Sequence, residues 1–326
     1  MSERTTPRPG QERFVAPLDE TPLQEVDAVD VHASPESQWK EIWNRLRKSV
    51  LFWFASAILL VLAIMIAFPG LFTSADPNFK DLADSLEPAR DGSPFGFDRQ
   101  GGDVWARTVY GARASVAVGV LTTIIVALVG TITGAIAGYY GKIVDTLFSR
   151  TADIFFSIPL LLAAIVVISV INNLYPDRGF WGGVAVIVLA LGAFAWPQLT
   201  RQMRGAVLEV KTLEFVDAAT AIGATRWTNL RRHVIPNSLA PVIVTSTISL
   251  GVFIVAESTL SFLGLGLPNT VVSWGNDLAA AQIQIRSGQD LRVMWVPASA
   301  LAFTVLGFIL LGESVREAID PKARKS

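Results

Sequence analysis

The stretch at residues 114–140 reads ASVAVGVLTTIIVALVGTITGAIAGYY and contains no charged side chain. A helix crosses the roughly 30 Å hydrocarbon core of a bilayer with about 20 apolar residues, because each residue adds about 1.5 Å. Working outward from this stretch, the same criterion selects six segments in all. The predicted spans are Val50–Phe68, Ala114–Tyr140, Ile154–Ile171, Gly182–Thr200, Val242–Leu265 and Val296–Gly312.

The composition agrees with a membrane environment. Of the 326 residues, 51% are hydrophobic and 17% are charged, whereas a soluble domain carries about a quarter charged residues. The net charge of −1 excludes the basic excess of a nucleic-acid binder. With no cysteine and two histidines, the chain has few ligands for a metal site and few residues for a catalytic triad. The sequence predicts an all-α integral membrane protein that is not itself an enzyme, with no metal ligands and no catalytic residues.

The positive charges predict the orientation of the spans. Beyond the first 36 residues, placing the N-terminus inside puts sixteen Lys and Arg residues on the cytoplasmic side and eight on the other. Cytoplasmic loops carry such an excess. We therefore expect a multi-pass protein of the cell membrane with both termini in the cytoplasm.

The segments outside the spans divide the chain further. Residues 1–36 are rich in proline and acidic residues, which predicts a disordered cytoplasmic tail. Residues 37–49 place tryptophans beside basic residues, as in a helix that lies in the membrane interface. The predicted first span (50–68) leads to an extracytoplasmic loop (69–113), a core of five spans (114–312) and a cytoplasmic tail (313–326). Glycine and aspartate residues in the outer loop, and residues 273–275 in the last outer loop, are predicted to form turns rather than binding sites.

The cytoplasmic loop at residues 201–237 is the most informative part of the sequence. Acidic residues open a predicted short helix, where the helix dipole favours them. Gly223 is suited to end that helix, and Thr225 to cap a second one that runs towards Pro236. Two short helices at an angle would form a compact projection suited to a groove on a cytoplasmic partner. The alternative is an ordinary helical surface loop.

This loop resembles the EAA loop of permeases in ATP-binding-cassette importers, and other motifs extend the resemblance over residues 40–324. These motifs are similar to those of the importers for dipeptides, oligopeptides and nickel. Such an importer has two different permease subunits, and the resemblance is to the second, C-type subunit. Asp217 stands where the family usually has glutamate, and Gly102 where it commonly has arginine. The matching motifs are Phe95–Val104, Tyr110–Ser115, Gly138–Gly141, Asp217–Gly223, His233–Asn237, Glu257–Gly266, Ser273–Gly275 and Asp320–Pro321.

The resemblance implies the type I importer permease fold and a subunit that moves di- or oligopeptides across the membrane. Nickel complexes, glutathione or another small solute are the alternative cargoes. The implied partners are two ATPase subunits, a homologous second permease and an extracytoplasmic substrate-binding protein. This chain lacks a phosphate-binding G-x-x-x-x-G-K-[S/T] motif, so ATP and magnesium are expected on the ATPases. The implied coupling residues are Glu214, Asp217, Ala218, Ala219, Gly223, His233 and Pro236.

Glu257 is the one acidic residue deep within a predicted span. A carboxylate there faces protein or water, so it predicts either a contact on the transport pathway or a structural contact with hydroxyls such as that of Ser261. Two other classes of protein compete with the importer interpretation. A secondary transporter would show more intramembrane charge or internal inverted repeats. A membrane-embedded hydrolase would need a catalytic set that the spans do not contain.

Overall fold

A computed structural model of the chain describes residues 38–176, 178–286 and 291–319. The predicted disordered tail at residues 1–36 lies outside them. The contacts that build the fold belong to the unit that begins at Ile42. The helices are α1 (Gln38–Leu46), α2 (Val50–Ala67), α3 (Val104–Tyr140), α4 (Lys142–Phe156), α5 (Leu160–Leu174), α6 (Phe180–Val210), α7 (Glu214–Ala221), α8 (Arg226–Asn229), α9 (Ile235–Ser238), α10 (Ala240–Phe262), α11 (Trp274–Arg286) and α12 (Arg292–Ile319).

Five of these helices are long and apolar enough to cross a membrane: α2, α3, α6, α10 and α12. Counted as one broken span, the pair of α4 and α5, which is bent by 79°, brings the number of crossings to six. The predicted span Ile154–Ile171 is therefore not one continuous helix, because α4 ends at Phe156 and α5 begins at Leu160. Pro159 stands at the start of α5, where it lacks the N–H that would continue the preceding helix. With 15 residues, α5 is only about 22 Å long and needs part of α4 to complete a crossing.

The most extensive helix contact among the described residues joins α3 to α6 along a row of glycines. A Cβ atom added to Gly130 would lie 2.6 Å from Cβ of Leu199, and one added to Gly138 would lie 2.9 Å from the Arg204 carbonyl oxygen. At Gly134, between them, a Cβ atom would collide with the carbonyl oxygen of Thr200. Apolar side chains gain little by leaving lipid for protein, so such close backbone packing is a main source of attraction between spans.

Two ion pairs attach α4 to α6. The guanidinium of Arg204 donates to the Asp145 carboxylate at 2.6 Å, and that of Arg201 donates to Asp153 at 2.8 Å. In the sequence, these two arginines served only to predict the orientation of the spans. They hold α4 against α6 while the chain turns sharply into α5.

At the opposite end of the bundle, residues 69–103 form a cap of short turns over the start of α3. Asp98 accepts backbone hydrogen bonds from Gln100 and Gly102, and Asp103 caps α3 by accepting from the N–H of Ala106 at 2.7 Å. Asp98 therefore serves a turn, as the sequence predicted, and Asp103 serves a helix cap, which the sequence did not predict. Among the residues that the structure describes, no cluster of three or more metal-ligating side chains occurs.

The segment between α10 and α12, predicted to be the last outer loop, contains α11, a helix that the sequence did not predict. Ser273 caps it, and Trp274, expected in a simple turn, is fully buried and donates its indole N–H to the Thr108 carbonyl at 2.8 Å. The Arg107 guanidinium of α3 binds the carboxylate of Asp277 in α11, with Nε 2.9 Å from the nearer oxygen. Burial raises the pKa of the Asp277 carboxyl, and the charge of Arg107 opposes that rise.

Glu257 lies where α10 meets α11, and its side chain has no solvent exposure. The hydroxyl of Ser261 donates to one carboxylate oxygen at 2.8 Å, and that of Ser258 donates to the other at 3.3 Å. The Ser261 oxygen also accepts the backbone N–H of Leu267 at 3.1 Å. Through Ser261, the carboxylate thus holds the chain where it leaves α10. These hydrogen bonds to serine hydroxyls are the contacts expected if Glu257 has a structural role. A contact with cargo stays a prediction.

The glycine row allows a direct test. We expect Gly134→Ala to lower the free energy of unfolding by about 1–3 kcal/mol, because the added methyl group overpacks the α3–α6 contact. The control is Gly205→Ala in α6, where no atom lies within 4 Å of the added Cβ. Denaturant titration of the purified chains in detergent, followed by tryptophan fluorescence, measures the difference. Equal stabilities of the two variants would contradict the packing argument.

A second test concerns the buried carboxylate. We expect Glu257→Ala to destabilise the chain by about 1–3 kcal/mol, since it leaves the hydroxyls of Ser258 and Ser261 without their acceptor. Glu257→Gln keeps one acceptor oxygen and should cost less. The same detergent titration compares both variants with Glu313→Gln, where the carboxylate is partly exposed near the end of α12. A Glu257→Ala variant as stable as this control would rule out the structural role.

Candidate functional site

The predicted coupling loop forms a small helical projection between α6 and α10. After α6 ends at Val210, the chain begins α7 with Glu214 and Asp217 in its first turn. Both carboxylates are exposed and lie near the positive end of the helix dipole. Ala218 is exposed and Ala219 is half-buried, so the outer surface of α7 is lined with small side chains.

Gly223 ends α7 in the way that the sequence predicted. Its φ of +99° is a backbone conformation that favours glycine. The N–H of Gly223 donates to the Thr220 carbonyl and that of Ala224 to the Ala219 carbonyl, both at 3.0 Å. These two bonds are those of a Schellman motif, which closes the helix end. Thr225 then caps α8 by accepting the N–H of Thr228 at 3.2 Å.

A buried asparagine, which the sequence analysis missed, connects the two short helices. Asn229 at the end of α8 is 1% exposed, and its amide donates to the Thr220 hydroxyl in α7 at 2.7 Å. Val216 packs from α7 into a cluster with Leu230 and Val234. The projection is therefore held by a polar and an apolar contact and is not an ordinary flexible loop. Hydropathy could not predict this burial, because Asn229 is polar and lies in a segment with three arginines, residues 226–232.

The return to α10 passes through a widened helical turn. Residues Leu230–Val234 form a π-helical turn, and Pro236 follows in the first turn of α9. Because proline has no N–H, the normal bond to the carbonyl four residues earlier is missing, which explains the wider turn before it. His233 lies half-buried in this turn and Pro236 is exposed.

The tip of the projection exposes apolar side chains between charged ones. Ile222 is 89% exposed and Trp227 is 57% exposed. Exposed acidic residues lie on α7, and exposed arginines, such as Arg226 and Arg231, follow the tip. A rigid surface of small and apolar groups with a charged rim has the composition of a protein-docking site. The candidate list from the sequence did not include Ile222 or Trp227.

The second pair of candidate residues lies elsewhere. Glu257 and Ser261 are near the far end of α10, and Glu257 is about 25 Å along the helix from Ala240. The structure therefore does not bring them to the projection. They share with it only the rigid helix α10 that connects them.

Comparison with known proteins gives two family matches. Residues 130–325 match the binding-protein-dependent transport system inner membrane component, and residues 37–89 match the N-terminal TM domain of oligopeptide transport permease C. Together these regions include α3 from Gly130 onward, the projection and α10.

Similar proteins of nearly equal length are known. The oligopeptide transport system permease protein OppC of Bacillus subtilis is 31% identical, over 92% of this chain and 94% of that protein. The dipeptide transport system permease protein DppC of the same species is 33% identical over 89% and 87%. The glutathione transport system permease protein GsiD of Pectobacterium atrosepticum is 32% identical over 89% and 93%.

Among solved structures, a chain of the inward-facing MetNI methionine ABC transporter matches with a TM-score of 0.52. The match covers 65% of this chain and 96% of that one at 21% identity, and it shows the type I importer permease fold. The fold, the family matches and the full-length similarity lead to one conclusion. This chain belongs to the family of binding-protein-dependent transport system inner membrane components and is a multi-pass permease subunit of the inner membrane.

Proposed function

We propose that this chain is one of two permease subunits in an ATP-driven importer of di- or oligopeptides. The observation that carries the proposal is the rigid projection of α7 and α8 on a chain of this permease family. The cargo follows from the relatives named for oligopeptide and dipeptide transport. Glutathione, itself a small peptide, is the second candidate, because a relative of similar identity is named for its transport.

The energy for transport comes from partner ATPases. The chain has no phosphate-binding loop of the G-x-x-x-x-G-K-[S/T] type, so ATP and magnesium bind to the partners. Each permease presents one projection, and each projection docks into a cleft of one ATPase. Phe215, Ile222 and Trp227 supply the apolar centre of the contact, and Glu214 and Asp217 supply charge at its edge.

The mechanism is alternating access. Both termini and the projection lie in the cytoplasm, and the cap at residues 69–103 faces outward, where a substrate-binding protein delivers the peptide. When ATP draws the two ATPases together, the projections move with them. Val216 and Asn229 prevent the projection from bending, so its displacement reaches α6 and α10. The path between the two permeases then opens outward, and ATP hydrolysis returns it to the inward-open state.

Reconstitution tests this function. The chain is assembled in proteoliposomes with its co-purifying permease, ATPases and binding protein, and uptake of labelled di- and oligopeptides is followed beside that of glutathione. We expect peptide uptake only with magnesium and ATP on the ATPase side. ATPases that lack their phosphate-binding lysine are the control. Uptake by the permeases alone, driven by an ion gradient, would show a secondary transporter instead, and preferred uptake of glutathione would replace the peptide cargo.

The projection is tested with two pairs of variants. We expect Gly223→Asp and Asp217→Lys to reduce uptake and peptide-stimulated ATP hydrolysis by about tenfold or more, because the first adds a charge beside the apolar centre of the docking site and the second reverses a charge at its edge. Gly92→Asp is the control for backbone strain, since its φ of +86° is similar and its surroundings are equally open. Glu317→Lys controls for reversal of an exposed charge. Unchanged coupling in both test variants would exclude a role of the projection.

A further inference from the structure

An apolar groove with a single cation at its edge lies between the cap-side ends of α2, α3 and α6. Its volume is about 640 Å³. The apolar lining consists mainly of Val116, Val120 and Leu121 of α3, Ile66 of α2, and Phe180 and Trp181 of α6. The cation is Arg113 of α3, a residue to which neither the fold nor the transport mechanism has given a role.

The Arg113 side chain is only partly engaged by the protein. Its Nε–H donates to the Ile66 carbonyl at 2.8 Å, and its guanidinium carbon lies 5.6 Å from the ring centre of Tyr110. Within the described residues, no carboxylate forms an ion pair with it. A guanidinium has five N–H donors, so the exposed group retains donors for an anion from outside the chain.

Three features place Arg113 at the level of the lipid headgroups. It immediately precedes the uncharged run that begins at Ala114. The helix α3, at 37 residues and about 55 Å, is longer than the bilayer core, so its first turns extend beyond the hydrocarbon. Ile66 belongs to the last turn of α2 and Trp181 to the first turn of α6, and Trp181 is 68% exposed, as is typical of the aromatic residues at a membrane interface.

We propose that this groove binds a phospholipid of the cap-side leaflet. The phosphate binds the guanidinium of Arg113, and one acyl chain lies along Val116, Val120 and Leu121. Long basic side chains near the ends of transmembrane helices reach the membrane interface, where the lipid phosphates lie. The proposal does not depend on the cargo or on the partner ATPases.

The chemistry of the groove favours a lipid over a protein or peptide. Arg113 is the one charged residue in the lining, and the remaining residues offer apolar side chains. A peptide or a protein surface would bring backbone N–H and C=O groups, and these would lose their hydrogen bonds to water in such a groove. A phospholipid has one anionic group and a long chain without polar atoms, which matches the distribution of charge in the groove.

Photo-labelling of the full-length chain in phosphatidylcholine nanodiscs tests the proposal. The probes are trace phosphatidylglycerol and trace diacylglycerol, each with the same diazirine-bearing acyl chain. Mass spectrometry measures labelling of the peptides that contain residues 113–121 and 180–181. We expect phosphatidylglycerol to label them about tenfold more than diacylglycerol, as expected for hydrogen bonds to a charged group.

Three variants make the test specific. We expect Arg113→Gln to abolish the difference between the probes, and Arg99→Gln, which removes an exposed charge of the cap, to preserve it. Ala117 of α3 also lines the groove. Ala117→Phe should reduce labelling by both probes, because the larger side chain fills the groove and the guanidinium is kept. Equal labelling by the two probes in the wild-type chain, or an unchanged preference in Arg113→Gln, would overturn the proposal.

Two further arms separate a lipid from the other occupants. Labelling is repeated with the co-purifying permease bound and with excess dipeptide. We expect it to persist in both cases. Loss of labelling when the second permease binds would identify the groove as a protein interface, and competition by the dipeptide would identify it as part of the transport path. Either result would overturn lipid binding, and only the second concerns the proposed import function.

Discussion

The row of Gly130, Gly134 and Gly138 allows the backbone of α3 to touch α6, and the rest of the bundle is arranged around this contact. In lipid, apolar side chains have little reason to leave their surroundings, so helices associate where their backbones come close. The hydroxyls of Thr133 and Thr200 add a hydrogen bond at 2.7 Å between the same helices. Any residue larger than glycine along this row would force α6 away from α3.

The contact also determines where the projection of α7 and α8 stands. Lys211 follows the last turn of α6 and donates to the carbonyl of Gly138 near the end of α3, at 2.8 Å. The projection begins three residues later, from a helix end that is held in place. Val216 and Asn229 then join its two short helices to each other and to the start of the following helices. In the proposed mechanism, these contacts are what passes a displacement of the tip to α6 and α10.

The opposite end of the bundle is organised by polar groups. Arg107 joins α3 to α11 through Asp277, and Glu257 gathers the hydroxyls at the end of α10. Burying the charged group of Arg107, Asp277 or Glu257 alone would cost free energy. The ion pair and the hydrogen bonds reduce that cost. The Arg107–Asp277 pair holds α11 against α3, while Arg113, a few residues further along α3, is left partly free.

The sequence by itself determined the membrane environment, the approximate positions of the spans and the two short helices about Gly223. Each of these depends on local properties, namely the length of an apolar run, the conformational freedom of glycine and the capping ability of Thr225. The chain's motifs also sufficed to indicate its family. The orientation, the interfacial position of α1 and the coupling roles of residues 214–236 stay predictions.

Only the tertiary structure decided the bend between α4 and α5, the existence of α11 and the burial of Asn229. Hydropathy averages over a window, so it joined two helices across Pro159 and overlooked a short helix of mixed polarity. The ion pair of Arg107 with Asp277 links residues 170 positions apart. No local pattern in the sequence encodes such a pair, because the partners meet only after the spans have packed together.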